Sequence, residues 1–382
     1  MTARRGASLF LYQPPGDAGL APLAVLRSVS WCRHGGITLG ARAGSTHRGV
    51  PAIPRGEAGL HLDARFVAAK RVSIEGRPVA GFSEGRVAWL RLDGARAKRL
   101  AEASDPAHAA WEIASDLPRE EAEGRWILAP WDLVPREDDD LLARDLASTR
   151  PSAPAAALAK GVHRAGTSIS VHKSARVDPG AFLDARDGAV VVEAGARIGA
   201  NAVLEGPVLV CEGAVVKPHA HLRGSVIGRE VRAGGEISAS IVDDYSNKAH
   251  FGFLGHSIVG SWVNIGAGAT VSNLKNTYGE ITSGADGKER TGRVFFGCAI
   301  GDFAKIGIQV AIATGTLVGV AAHLVGPGPF PKNVPSFFWP GGRLHIEKAI
   351  EIARRMRKRR GLDLSPEEAE GLRAAARGAC AR

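Results

Sequence analysis

From Ile198 onward the chain places an aliphatic residue at every sixth position: Ile198, Leu204, Val210, Val216 and Leu222. The beat extends back to Val192 and runs earlier through Val171, Val177 and Leu183. It returns as Phe253, Val259, Ile265 and Val271, and again as Ile300, Ile306, Ile312, Val318 and Leu324. Four positions after the aliphatic stands a small residue in many units, among them Ala181, Ala196, Ala202, Ala214, Ala220, Ala269, Ala304 and Ala322. A period of six belongs neither to an α-helix nor to the alternation of one strand. It predicts one short strand and one turn per hexad, with both residues pointing into a narrow prism. Each coil pairs its backbone with the next, so a core forms only when several coils stack. The reading is a mainly β fold, a parallel β-helix over residues 166–342.

Two interruptions break the rhythm. Residues 223–252 contain a five-residue step to Ile227, and residues 282–293 are polar and Gly-rich, a loop protruding from a coil. Such insertions tend to fall on one face of a solenoid, often the binding face. Residues 343–382 read as a helical tail. Leu344, Ala349, Ile350, Ile352, Ala353 and Met356 recur at helical spacing before Gly361, and Ser365-Pro366 caps and opens a second helix. Residues 148–165 are rich in Ala and Pro and read as a linker, which leaves residues 1–147 as a separate N-terminal domain.

Composition narrows the function classes. The chain has 382 residues and 48 Gly, as a turn-rich protein requires. The net charge of +10 invites nucleic acid, but an excess of six positive charges sits between Arg343 and Arg360 alone. That basic helix either meets the phosphates of a nucleotide or cofactor or is a solvated face; no nucleic-acid partner is expected. Four scattered cysteines with no C-x-x-C pair suggest neither a disulfide framework nor a zinc site, and no metal ligand set is expected. No apolar run reaches the roughly 18 residues of a membrane span. The N-terminus lacks the apolar stretch of a signal peptide. The expectation is a cytoplasmic protein without a membrane partner.

Candidate chemistry concentrates between the two interruptions, in Asp243 to His250, then Asn264, then Ser272 to Asn276. At about three hexads per coil these positions span under two coils, and stacked coils lie about 4.8 Å apart. They can converge at one edge of the prism, where symmetry could add an adjacent subunit. Acyl transfer to an amine needs a base, which His250 can supply, and donors for the developing oxyanion. Asn and Lys suit sugar hydroxyls and a sugar phosphate. The competing reading makes His250 a structural turn residue and the Asn residues stabilising ladders. His219, His221, His256 and His323 read as structural, and Lys305 with Asp302 as either a site or a surface pair, the surface pair being favoured.

The run Gly252 to Ser257, then Trp262 to Gly268, then Asn273 to Gly279, with Gly235-Glu236 and Asn247-Lys248 before it, resembles bacterial GlmU-like proteins. These are sugar nucleotidyltransferases described as UDP-N-acetylglucosamine diphosphorylase/glucosamine-1-phosphate N-acetyltransferase. The resemblance covers at least residues 160–375 and is weaker before them, in Asp63-Ala64-Arg65, Pro130 to Leu133 and Asp145. It implies a left-handed β-helix that forms a homotrimer, with acetyl-CoA as acyl donor and a sugar phosphate or nucleotide sugar as acceptor. It implies that His250 is the base, that Asn264 and Asn273 orient the acceptor, and that Ala267 and Gly268 contact the donor. Lys248 and Lys275 are expected to neutralise phosphate. It further implies an N-terminal α/β domain of reduced nucleotidyltransferase type.

The departures are specific. Phe253 and Leu274 stand where the better-understood bifunctional enzyme has Tyr, Phe303 where this subfamily has His, and Ala313 where it has Asn. The N-terminal part shows no G-x-G-T-R-like loop over residues 8–40, and Asp132 with Asp138 to Asp140 are its candidate ligands for Mg²⁺, needed only if that domain is active. The leading reading is an acyl-CoA-dependent N-acyltransferase in UDP-N-acetylglucosamine-type metabolism. A sugar-1-phosphate nucleotidyltransferase and a non-catalytic trimeric scaffold or nucleotide-sugar-binding protein stand beside it.

Overall fold

A computed structural model describes residues 8–13, 20–24, 26, 32–47, 51–52, 56–136, 141–148 and 158–380. Contacts divide the chain into two compact units, Met1–Leu20 with Arg27–Asp132, and Ala21–Leu26 with Leu133–Arg382.

The first unit is α/β. Its six-stranded sheet runs in the order Pro51–Ala52, Ser8–Tyr12, Gly59–Asp63, Arg86–Leu92, Val79–Ser83, Arg119–Glu121. The first three strands are parallel, and Arg86–Leu92 is antiparallel to both its neighbours. Asp93 and Asp105 cap the helices Gly94–Glu102 and Pro106–Ser115 by accepting from N–H groups of the first turn. Both helices bury their apolar faces against the sheet, Leu100 and Ile113 meeting Leu90 and Leu92.

The second unit is a parallel β-solenoid of about ten turns that fits a left-handed β-helix. Three parallel sheets of six, nine and eight strands form its faces. The first face runs from His163–Ala165 to Phe253–Gly255, the second from Ile169–Val171 to Asn333–Val334, and the third from Arg176–Val177 to His323–Leu324. Regular coils advance by 18 residues, as in Val203↔His221 and Lys305↔His323. The repeating aliphatics Ile198, Leu204, Val210, Val216 and Leu222 are all fully buried in one continuous core with Ala196, Ala202, Ala214 and Ala220. Full burial of each aliphatic contributes about 1.5–3 kcal/mol.

The interrupted region changes the phase. Leu254, not Phe253, takes the inward position of its coil: it pairs with Ile237 and is fully buried, whereas Phe253 pairs with Glu236 and is half-buried. The step from Leu254 to Val259 is five residues, so the regular beat resumes only at Val259. The polar insertion protrudes as expected, closed by an antiparallel pairing of Thr282–Ser283 with Glu289–Arg290.

The tail consists of helices Ile346–Lys358 and Pro366–Cys380. Ser365 and Glu368 cap the second reciprocally, each backbone N–H donating to the other's side chain at 3.0–3.2 Å. Ile350, Ala353 and Leu372 pack on Trp262, Phe303 and Phe337. These aromatics occupy stacked turns with φ near 61–62°. Tyr245 continues the stack, its ring 4.4 Å from that of Trp262 and parallel to it within 1°. Arg357 lies over Trp262, 5.1 Å from the ring centre, and pairs with Glu368. No described helix is long and apolar enough to cross a membrane.

Candidate functional site

The third face carries a polar ladder on its outer side. Arg232, Asn247, Asn264, Lys305 and His323 are successive register partners across adjacent coils. They occupy the strand position just before the inward residue, so the alternation of a strand turns them outward. After the ladder the chain enters the turns joining the third face to the first. His250 stands in one of these and Ala267 in the next coil, where Gly268 N donates to Phe251 O at 2.9 Å.

These features meet in one cleft of about 780 Å³. Asn247, Asn264 and Lys305 line it from the ladder, and His250, Ala267 and Ile308 from the turns. Trp262 lines it beside the aromatic stack, and Met356, Arg359 and Arg360 contribute the end of the first tail helix. No carboxylate is among the lining residues, while Arg232, Lys305, Arg359 and Arg360 all are. A cleft of one sign attracts and concentrates anions.

The cations are held in distinct ways. Arg232 and Arg360 share the Glu230 carboxylate, at 3.3 and 3.2 Å, and Arg360 also donates to Asn247 Oδ1 at 3.2 Å. Partial burial and the neighbouring Arg232 push the Arg360 guanidinium below its usual range. Lys305 Nζ donates to the carbonyls of Trp262, Phe303 and Ala304, and burial brings its pKa down to about 7. The adjacent His323 is lowered to about 4 by burial and by Lys305. Among the described residues, the exposed His250 imidazole and Asn264 amide have no side-chain hydrogen bond, and the Ala267 N–H has no acceptor. Gly268 N–H is committed to Phe251, so the free donor in this turn is that of Ala267.

Of the residues singled out from sequence, His250, Asn264 and Ala267 come together in the cleft. Lys248 does not face it. It is 1% exposed, and its Nζ donates inward to Gly234 O and His250 O at 2.8 and 2.7 Å, so it cannot meet a phosphate as expected. Asn273 lies at a different corner, between the first and second faces, where its amide donates to His256 Nδ1 at 2.8 Å. Lys275 donates to Glu280 O, just ahead of the insertion. Asn273 and Lys275 are absent from the cleft lining. Sequence reasoning overlooked Arg232, gave Asn247 no separate role within the run Asp243 to His250, and favoured a surface pair over a site for Lys305. Their shared register with Asn264 was the available signal.

In the first unit, Asp63 forms a buried ion pair with Arg65, 2.7 Å long, and Asp132 Oδ2 accepts from Leu128 N and Ala129 N at 2.9 Å. Both carboxylates therefore have structural partners. Asp138 to Asp140 lie outside the described residues. Among the described residues no group of three His, Cys, Asp or Glu is placed to hold a metal ion.

No family model matches the chain. It is similar to the bifunctional protein GlmU of Streptococcus pyogenes serotype M12, with 32% identity over 139 residues, 36% of this chain and 26% of that protein. It is similar to GlmU of Nostoc sp. PCC 7120, with 26% identity over 192 residues, 44% of this chain and 39% of the relative. A bifunctional sugar-1-phosphate nucleotidylyltransferase/acetyltransferase of Sulfurisphaera tokodaii is 30% identical over 141 residues, 36% of this chain and 35% of that protein. The chain thus spans between about a quarter and two fifths of the length of these relatives. The similarity supports a GlmU-like family and a transferase.

Proposed function

Starting from a GlmU-like chain, we propose that this transferase is an acyl-CoA-dependent N-acyltransferase. Its acceptor is an amino sugar bearing a phosphate or a nucleoside diphosphate, and its place is cytoplasmic UDP-N-acetylglucosamine-type metabolism. One observation carries the reading: a single cleft combines an unpartnered imidazole, a free backbone donor and a cationic wall without a carboxylate.

Each part has a chemical task. His250 takes the proton of the acceptor amine as nitrogen attacks the thioester carbonyl. The Ala267 N–H donates to the oxygen on which negative charge develops. Asn264 holds acceptor hydroxyls, and Arg232, Arg359 and Arg360 take its phosphate oxygens. When bound, acetyl-CoA supplies the acyl group and leaves as the thiol. Asn273 and Lys275 join this site only from a second copy of the chain, and the proposed working form is the homotrimer that the GlmU-like resemblance implies. Phe251 and Ile308, 69% and 72% exposed beside the cleft, supply an apolar surface for that contact.

Release of free thiol from acetyl-CoA, measured with glucosamine 1-phosphate and UDP-glucosamine, tests the proposal. Turnover is expected with at least one of them and none with glucose 1-phosphate, which has no amine. No thiol with either amine, together with Mg²⁺-dependent pyrophosphate release from UTP and a sugar 1-phosphate, would assign the activity to the N-terminal unit instead.

A further inference from the structure

Lys248 stands where the repeat ordinarily places an aliphatic or small residue. It is the register partner of inward-facing Ala233 and is 1% exposed, so its stem fills the interior of the prism. Its Nζ ends beneath the turn between the third and first faces, donating to Gly234 O and His250 O at 2.8 and 2.7 Å. No carboxylate pairs with it among the described residues. A buried ammonium without a counter-charge is costly even when its hydrogens are bonded. A methionine would fill the same slot without that cost. The lysine gains a grip on the backbone of His250.

That grip matters because no side chain aims the imidazole of His250. Its direction is set by the backbone of the turn. The coil beneath is shaped around the amine. A Cβ on Gly235, whose φ is +69°, would lie 2.7 Å from Gly252 O and 2.9 Å from both Lys248 Nζ and His250 O. A Cβ on Gly234 would lie 2.5 Å from Ala249 O. Gly235 thus leaves room for the amine, and Gly234 leaves room for the backbone of the turn that the amine holds.

We propose that Lys248 is a positioning residue for acyl transfer: from inside the β-helix its amine anchors the His250 carbonyl and thereby aims the imidazole into the cleft. This rests on the reading of His250 as the base. Burial lowers the amine's pKa to about 8. The neutral amine still has two hydrogens for its two carbonyls, so the anchor persists through that titration.

The test compares Lys248→Met, which keeps the stem and deletes the donors, with His250→Ala in the full-length protein. For Lys248→Met, kcat is expected to fall about 100-fold with both KM values within about twofold, since a small misplacement of a reacting group costs that much. Counting competent sites by acetyl-CoA binding separates this from a loss of folded protein, which would lower the number of sites and leave kcat per site intact. Wild-type kcat per site in Lys248→Met, with His250→Ala inactive, overturns the positioning role and leaves the base standing. Wild-type turnover in His250→Ala overturns both. Should Lys248→Met not fold, Lys248→Leu serves, because it also fills the inward slot with an apolar stem and deletes the donors. Folded Lys248→Leu is expected to lose kcat in the same manner, and unchanged kcat overturns the proposal.

Discussion

Asn273 donates to the Nδ1 of His256 over 2.8 Å, and Phe295 stacks on the same imidazole with ring centres 4.9 Å apart. This contact fixes Asn273 at one corner of the prism, while His250 stands at the next, with the strand Phe253–Gly255 between them. One chain therefore holds Asn273 apart from His250, Asn264 and Ala267, which line the cleft.

Mixed oligomers test whether neighbouring copies reunite them. His250→Ala and Asn273→Ala are each expected to reduce thioester turnover at least tenfold. Unfolding and refolding the two variants together should restore a substantial fraction of the activity, because some junctions then combine intact His250 with intact Asn273. Purely additive residual rates would place both residues' roles within single chains.

Arg360 links the tail to the cleft through Glu230 and Asn247. Arg360→Ala is expected to raise KM for glucosamine 1-phosphate about tenfold, a loss of about 1.4 kcal/mol, and to change KM for unphosphorylated glucosamine little. The effect should shrink as salt rises. Steady-state kinetics with both acceptors checks it, and equal changes in the two KM values would contradict a phosphate role.

Trp262 is stacked between Tyr245 and Phe303 and carries the tail through Arg357. Trp262→Ala is expected to cost about 3–5 kcal/mol, as for other large core truncations. Urea unfolding reads the loss, and limited proteolysis should cut first between the tail and the last coil.

The two buried amines give the fold a pH signature. Lys248 and Lys305 titrate near 8 and 7 in the folded chain, against about 10.4 when unfolded. Between pH 7 and 9 the unfolded chain therefore binds more protons, and stability rises with pH. Above 9 the Cys298 thiol, pushed up to about 12 by burial, works in the opposite direction. Urea midpoints from pH 7 to 9 should climb in the wild type and climb less in Lys305→Met.

The β-helix was legible because its core is periodic: Ile198 through Leu222 declare the inward face by spacing alone. The phase was lost at Phe253 because the coil there advances by five residues, and one residue's slip exchanges inside for outside. The cleft was legible only in part. His250, Asn264 and Ala267 could be placed because adjacent coils bring them together. Lys248 was expected to meet phosphate, and its inward placement was not legible, because a lysine stem can fill an aliphatic slot while its amine bonds carbonyls. Arg359 and Arg360 were visible as charge, but their arrival at the third face depends on how the tail packs on Trp262 and Phe303, which no local pattern encodes.

The most direct measurement is a single-turnover reaction of acetyl-CoA with glucosamine 1-phosphate or UDP-glucosamine, comparing wild type with His250→Asn at saturating substrate. Removing a general base should slow the chemical step about 10²–10⁴-fold while acetyl-CoA binding is retained. A His250→Asn protein that transfers the acyl group at the wild-type rate would contradict the assignment of this cleft as a base-assisted acyltransferase site.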